Sequence, residues 1–206
     1  DPILLARGEE QCVAWAAERE MNLTLDWRRA DLVDDWERLD FRGVDLVTAS
    51  ALLDLVSADW LERLAQRCWD ARAAVFVILS YDGSIAWKPA LAGDERVRKR
   101  VNRHQRTDKG FGPALGPDAV ATLATLLRNL GYEVIARPSP WRIGPEQRAM
   151  QAALLEGWVN AARQIAPEAQ DDWADWQARR RCWIERGASR LWVGHEDLFA
   201  WGRQWR

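Results

Sequence analysis

The 206 residues contain only two tyrosines, four phenylalanines, two histidines and three cysteines. Each scarcity removes a class of protein. Cys12, Cys68 and Cys182 are odd in number and far apart, which excludes a disulfide framework and a zinc site. They read as reduced packing residues of a cytoplasmic protein. No apolar run approaches the roughly 20 residues that span a bilayer, and the start Asp1-Pro2-Ile3 lacks a basic region followed by an apolar one. A membrane or secretory role is therefore disfavoured. Neither sign of charge dominates, with 29 basic and 31 acidic residues, so nothing marks a nucleic-acid partner. There is no internal repeat and no low-complexity tract.

What is abundant is tryptophan, with 14 residues, many of them beside Arg, Asp or Glu. Indole is large and seldom fully buried, so these rings are expected to cap the core and stack on arginines. A few lining a substrate cleft is the competing reading. With 48% hydrophobic content, the chain can bury one core, or one core plus a large insertion.

Periodicity gives the order of elements. Residues 3 to 20 read as a helix, and Leu23, Leu25 and Trp27 alternate like a half-buried strand. A short strand follows at 44–50. Ser57 caps an amphipathic helix carrying Leu61, Leu64 and Cys68. The run Ala73 to Leu79 (AAVFVIL) is continuously apolar and branched, as a strand buried on both faces should be. From Tyr81 to Gly116 no period is sustained, and glycines and Pro89 interrupt it, so mostly loop is expected with one short basic helix. Pro117 opens a helix that Gly131 closes. Tyr132 to Ala136 is a strand, helices follow over about 144–166 and 167–186, and Ser189 to Val193 is a last short strand. This alternation predicts an α/β fold with a mostly parallel, doubly wound sheet and a helical insertion before the last strand. Such sheets bind ligands beyond the carboxyl ends of their strands.

The segment Asp45-Leu46-Val47-Thr48-Ala49-Ser50-Ala51-Leu52-Leu53-Asp54-Leu55-Val56-Ser57 resembles the fourth strand and following loop of class I, Rossmann-like S-adenosylmethionine-dependent methyltransferases. Arg29-Ala30-Asp31-Leu32 is similar to the end of their third strand, and Asp1-Pro2 to the residues after their second. The resemblance implies a bacterial, cytoplasmic methyltransferase that uses S-adenosyl-L-methionine on a small-molecule acceptor, with 1–206 forming one N-terminally incomplete domain. The family's glycine-rich turn and ribose-binding acid are absent here and are expected upstream of Asp1. The alternative is a non-enzymatic binding module on a degenerate scaffold of the same type.

The resemblance assigns the cofactor to Asp1, Asp31, Leu32, Thr48, Ala49, Ser50 and Leu53. Asp31 would accept from the adenine amino group, and the small residues at 48–50 would lie under the methionine arm. Three residues are candidates for catalysis. Asp54 either faces substrate or caps a helix. His104 either takes a proton near neutrality or is a solvated loop histidine. Tyr81, directly after the buried strand, lies at the ligand edge. His195, in Gly194-His195-Glu196-Asp197, reads as structural or substrate-facing and not as a metal ligand, since consecutive residues cannot all face one ion. No metal is expected. Residues 84–116 are expected to form a mobile lid whose Arg98, Lys99, Arg100, Arg103 and Arg106 could draw an anionic acceptor. The insertion 143–186 would form the far wall of the pocket or a homodimer contact.

Overall fold

The computed structural model describes residues 2–167 and 170–202, with the side chains of all of these but 170–172. The chain divides into two compact units, 1–40 and 41–206.

The first unit is built on the helix α1 (Pro2–Glu18), which buries only Ala16 and exposes Ile3, Leu4, Val13 and Trp15. Gly8 lets the Trp27 indole lie on this helix, because a Cβ there would come within 3.1 Å of the ring. The strand expected around Leu23, Leu25 and Trp27 is not formed: residues 21–30 belong to no sheet, and Leu23 and Trp27 are exposed. Alternation marks a strand only where a neighbouring strand pairs with it. The segment after it is shaped by acidic side chains. Asp31 accepts from the backbone N–H groups of Val33 (2.8 Å) and Asp34 (3.2 Å), and Asp35 accepts from that of Asp31 (2.9 Å).

The second unit carries the sheet. Its strands are β1 (Leu46–Ser50), β2 (Ala74–Lys88), β3 (Tyr132–Pro138), β4 (Trp141–Ile143) and β5 (Arg190–Gly202), in the order β1-β2-β5-β3, with β4 also on β5. Its helices are α2 (Ala58–Ala71), α3 (Asp94–Gln105), α4 (Ala119–Asn129), α5 (Arg148–Ile165) and α6 (Gln170–Glu185). Ser57 caps α2 by accepting from the Trp60 N–H, as its sequence signals. β1, α2 and β2 form a parallel βαβ unit in register Leu46 to Ala74 through Ser50 to Ile78.

The sheet is mixed, which corrects the mostly parallel arrangement expected. β5 pairs antiparallel with β2, β3 and β4, so only β1·β2 is parallel. The physical reason is the length of β5. Thirteen residues long instead of five, it returns from α6 through a short turn and inserts in reverse between β2 and β3, which themselves run in the same direction.

β2 is also longer than its apolar run suggests. Leu79 takes a left-handed conformation (φ 57°) at a bulge, and a second irregularity falls between Tyr81 and Ile85. Bulges re-aim a strand without ending it. Past the first Tyr81 is buried, and past the second Ile85 and Trp87 are, while Asp82, Gly83 and Ser84 hide the alternation in the sequence. The region read as mostly loop therefore contains the end of β2 and a full helix, α3, which buries only Val97 and Val101 at i, i+4 spacing.

Both extra stretches lie in β2, so β5 alternates regularly and its odd-numbered residues share one face. Towards its amino end that face packs on α3, α5 and α6: Tyr81, Ile85, Trp87, Leu191 and Val193 join Val97, Val101, Leu155, Val159, Trp173 and Trp176 in one cluster. Towards the carboxyl end the same face turns exposed, with Phe199 and its neighbours Phe76 and Ile135 each about 40% accessible. There the other face is buried instead, through Val75, Val77, Leu198 and Ala200, with α4 packed against β3 and β5.

Candidate functional site

The cover changes sides where β1 ends. Ser50 pairs with Ile78, and the Ala51 N–H adds one more bond to the Ile78 carbonyl (3.1 Å) with Ala51 at φ 52°. β2 then continues ten residues past its partner. Just beyond this point lie Tyr81 on β2, His195 opposite it on β5, and Asp54 in the single helical turn Leu53–Leu55 that follows β1. Asp54, Tyr81 and His195 are each only 7% exposed.

The carboxylate of Asp54 receives the Tyr81 backbone N–H and, at 3.3 Å, the Gln105 side-chain amide. Burial raises its pKa, while its own backbone N–H, His195 and the Tyr81 N–H oppose the rise. The Tyr81 hydroxyl donates to Asn102 Oδ1 at 2.7 Å, and burial pushes its pKa up. Its phenol is thus a neutral donor. Asn102 in turn donates to the Gly83 carbonyl (3.0 Å), which also receives Arg98. Gly83 (φ 89°) fits here because a Cβ would come within about 3.1 Å of Pro117 and Asn102.

His195 is the least expected member. Its Nδ1 lies 3.1 Å from the Val193 carbonyl, which can only accept, so Nδ1 carries the hydrogen and Nε2 is the bare nitrogen of the neutral ring. Nε2 has no hydrogen-bond partner among the described residues. The ring meets Tyr81 edge-on (6.5 Å between centroids) and Trp141 at 4.7 Å. Burial lowers its pKa; the Val193 carbonyl and the charges of Asp82, Asp54 and Asp197 pull it back up. Asp82 lies so close to the β5 backbone that a Cβ on Gly194 would fall 2.1 Å from it. Asp197 accepts from the Leu79 N–H (2.9 Å) and the Ser139 hydroxyl (2.7 Å). Ser80, wholly buried between these residues in sequence, leaves its hydroxyl without a partner.

Asp54 and Tyr81, singled out from sequence, are brought together. His104 is not with them: at the end of α3 its Nε2 meets Gln164 Oε1 on α5 at 2.8 Å, and Lys109 lies 3.3 Å from Nδ1. Thr48 and Ser50 are exposed and Ala49 half-buried at the open edge of β1, whereas Leu53 is fully buried and can offer a ligand only its backbone. Asp31 is exposed and its Oδ1 is engaged by its own turn, Leu32 is half-buried, and Asp1 lies outside the described residues. Asn102 and Gln105 escaped the sequence reading. Their signal is the i, i+4, i+7 spacing of Arg98, Asn102 and Gln105 along one side of a basic helix.

Of the cationic cluster expected to draw an anion, Arg103 is exposed and the other four members are engaged. Arg98 and Lys99 pair with Glu95, Arg100 stacks on Trp173, and Arg106 binds Asp118. The cysteines are free thiols, and burial pushes that of Cys68 up to about 12. Among the described residues, no three of His, Cys, Asp and Glu are placed to hold a metal ion, and no helix is long and apolar enough to cross a membrane.

No family model and no curated protein matches the chain. Several solved structures resemble it at low similarity. A Galdieria sulphuraria protein assigned as a sarcosine dimethylglycine methyltransferase shares 15% identity at a TM-score of 0.40, covering 99% of this chain and 67% of its own. A Mycobacterium tuberculosis cyclopropane synthase shares 12% at 0.39, with 90% and 64% covered. A Haemonchus contortus phosphoethanolamine N-methyltransferase, solved with S-adenosylhomocysteine, shares 12% at 0.27, with 77% and 33% covered. The chain thus spans between one third and two thirds of these proteins. Likenesses this slight carry no argument about its chemistry.

Proposed function

We propose that the protein transfers a methyl group from S-adenosyl-L-methionine to a small-molecule acceptor held at the junction of β1, β2 and β5. The observation that carries this reading is the placement of Asp54, Tyr81 and His195. A proton-handling cluster, nine-tenths buried, stands immediately beyond the carboxyl end of a parallel strand whose last residues are small and exposed.

The cofactor's fit can be tested at the β1 end, where Thr48 and Ser50 are exposed, Ala49 is half-buried and Ala51 turns the backbone at φ 52°. Bound there, the sulfonium supplies an activated methyl group. The chain's own residues then have three tasks: holding the acceptor in line, excluding water and taking any proton the acceptor must lose. Alignment of bound reactants is worth roughly 7 to 11 kcal/mol of barrier, and a positioned base about two to four powers of ten in rate. Tyr81, fixed by Asn102, positions; His195, with Nε2 bare, can take the proton; Asp54 favours the imidazolium that forms. Residues 84–116, with α3 at their centre, would cover the acceptor, and α5 and α6 would form the wall behind it.

Calorimetric titration of S-adenosylhomocysteine into the protein tests the assignment. Binding supports it, and no binding refutes it.

A further inference from the structure

The groups around the bare nitrogen of His195 identify what kind of molecule it meets. Three carboxylates act on this ring from three elements: Asp54 from the turn after β1, Asp82 from β2 and Asp197 from β5. The side chains flanking it are aromatic, Tyr81 from β2 and Trp141 from β4. The cations that act on Tyr81 are held by partners of their own: Arg98 by Glu95 and the Gly83 carbonyl, and Arg106 by Asp118 and the Asn102 carbonyl. Acid groups and aromatic faces without an opposing free cation attract an ammonium and repel a carboxylate or phosphate. Independently of this charge, His195 is itself a polar side chain over nine-tenths buried whose Nε2 has no hydrogen-bond partner among the described residues. That nitrogen is not among the atoms shut off from solvent, so it opens onto accessible space.

We propose that the acceptor is an amine that enters as its ammonium ion between Tyr81, Trp141 and His195, and that His195 Nε2 removes its proton. The inference rests on the methyl-transfer reading for what happens next. The R–NH3+ proton passes to Nε2, giving R–NH2 and an imidazolium flanked by Asp54. The freed nitrogen lone pair forms the N–CH3 bond as the C–S bond of the sulfonium breaks and its electron pair stays on sulfur. The product is a methylammonium ion plus S-adenosylhomocysteine, and the imidazolium returns its proton to solvent. This reverses the expectation from sequence that the basic run of α3 draws an anion.

Three isosteric probes test the proposal: benzylamine, benzyl alcohol and benzoate, each titrated into the full chain while the His195 ring nitrogens are followed by 15N NMR. With only two histidines, His195→Gln assigns the signals. Benzylamine is expected to bind at least tenfold more tightly than either other probe and to move the His195 Nε2 resonance. Asp54→Asn should weaken that binding about tenfold with the fold retained by circular dichroism. His195→Gln removes a wall of the site and should weaken that binding while abolishing the pH step in labelled-methyl transfer. Benzoate binding as tightly as benzylamine, or an unmoved His195 signal at saturation, overturns the proposal, and both are read on wild type should a variant fail to fold. The two readings fail separately. Selective benzylamine binding with no labelled methyl transferred sinks methyl transfer and leaves the ammonium site standing. Label appearing on benzoate or benzyl alcohol but not on benzylamine does the reverse.

Discussion

The two ends of the β2–β5 ribbon obey opposite rules although they are the same pair of strands. At the Trp87 end, the face shared by Tyr81 and His195 is sealed by α3, α5 and α6. At the Val75 end that face lies open, and the other is buried. A ribbon covered on one face at each end must have a step in the middle. Polar side chains can approach both solvent and core there, which is why Asp54, Tyr81 and His195 gather at it.

The sharpest way to break the comparison is to unseal the Trp87 end. Arg180 on α6 is wholly buried; it binds Asp94, donates to the Pro89 carbonyl at 2.8 Å and lies 4.9 Å over the Trp87 ring. Arg180→Met leaves Asp94, which otherwise also receives the Trp176 indole N–H, as an uncompensated charge. Loss of one partner of such a pair costs about 3 to 5 kcal/mol. The denaturant midpoint should fall accordingly, and Asp94→Asn in the same chain should recover part of it.

Adjacent residues at the other end test the change of face. Leu198 is fully buried and Phe199 is 40% exposed. Leu198→Ala should cost about 2 to 5 kcal/mol through lost burial and the cavity left. Phe199→Ala removes the larger side chain yet should cost less, because much of that ring is already in water. Urea melts of the two variants decide it, and equal losses would mean that both faces are buried here.

The step between the ends has its own signature in pH. Because the folded protein holds His195 below its ordinary pKa, the unfolded chain binds that proton first as pH falls. The residue therefore adds nothing above about pH 6.5, and stability is lost below it until the folded ring itself titrates. His195→Gln should remove this loss, so wild type and variant converge as the solution is acidified from pH 7. Thermal melts across that range would show it. The smallest effect expected is at Asp31, outside the ribbon. Asp31→Asn should leave the melting temperature nearly unchanged, since the group is exposed.

The legibility of these regions in the sequence follows their chemistry. The βαβ unit was plain, because Ser57, the leucines of α2 and the AAVFVIL run each carry a local signal. The reversed β5 was not. Its outward residues Phe199 and Trp201 are as apolar as its inward ones, so neither alternation nor a polar boundary marks where the strand stops. Asp54 could be found because it lies in the turn after β1, and Tyr81 because it closely follows the apolar run AAVFVIL. His195 reads from sequence as structural or substrate-facing, with nothing to choose between the two, since what distinguishes it is a bond to Val193 two residues away and a tyrosine more than a hundred positions earlier. The second depends on the bulges that bring β2 back into register.

The state of the His195 ring is the most direct measurement of the central claim. Long-range 1H–15N correlation at pH 7 reads which ring nitrogen carries hydrogen. The account predicts a neutral ring with hydrogen on Nδ1 and Nε2 bare, and a signal whose titration falls further in Asp54→Asn. A charged imidazolium, or hydrogen on Nε2, would contradict it.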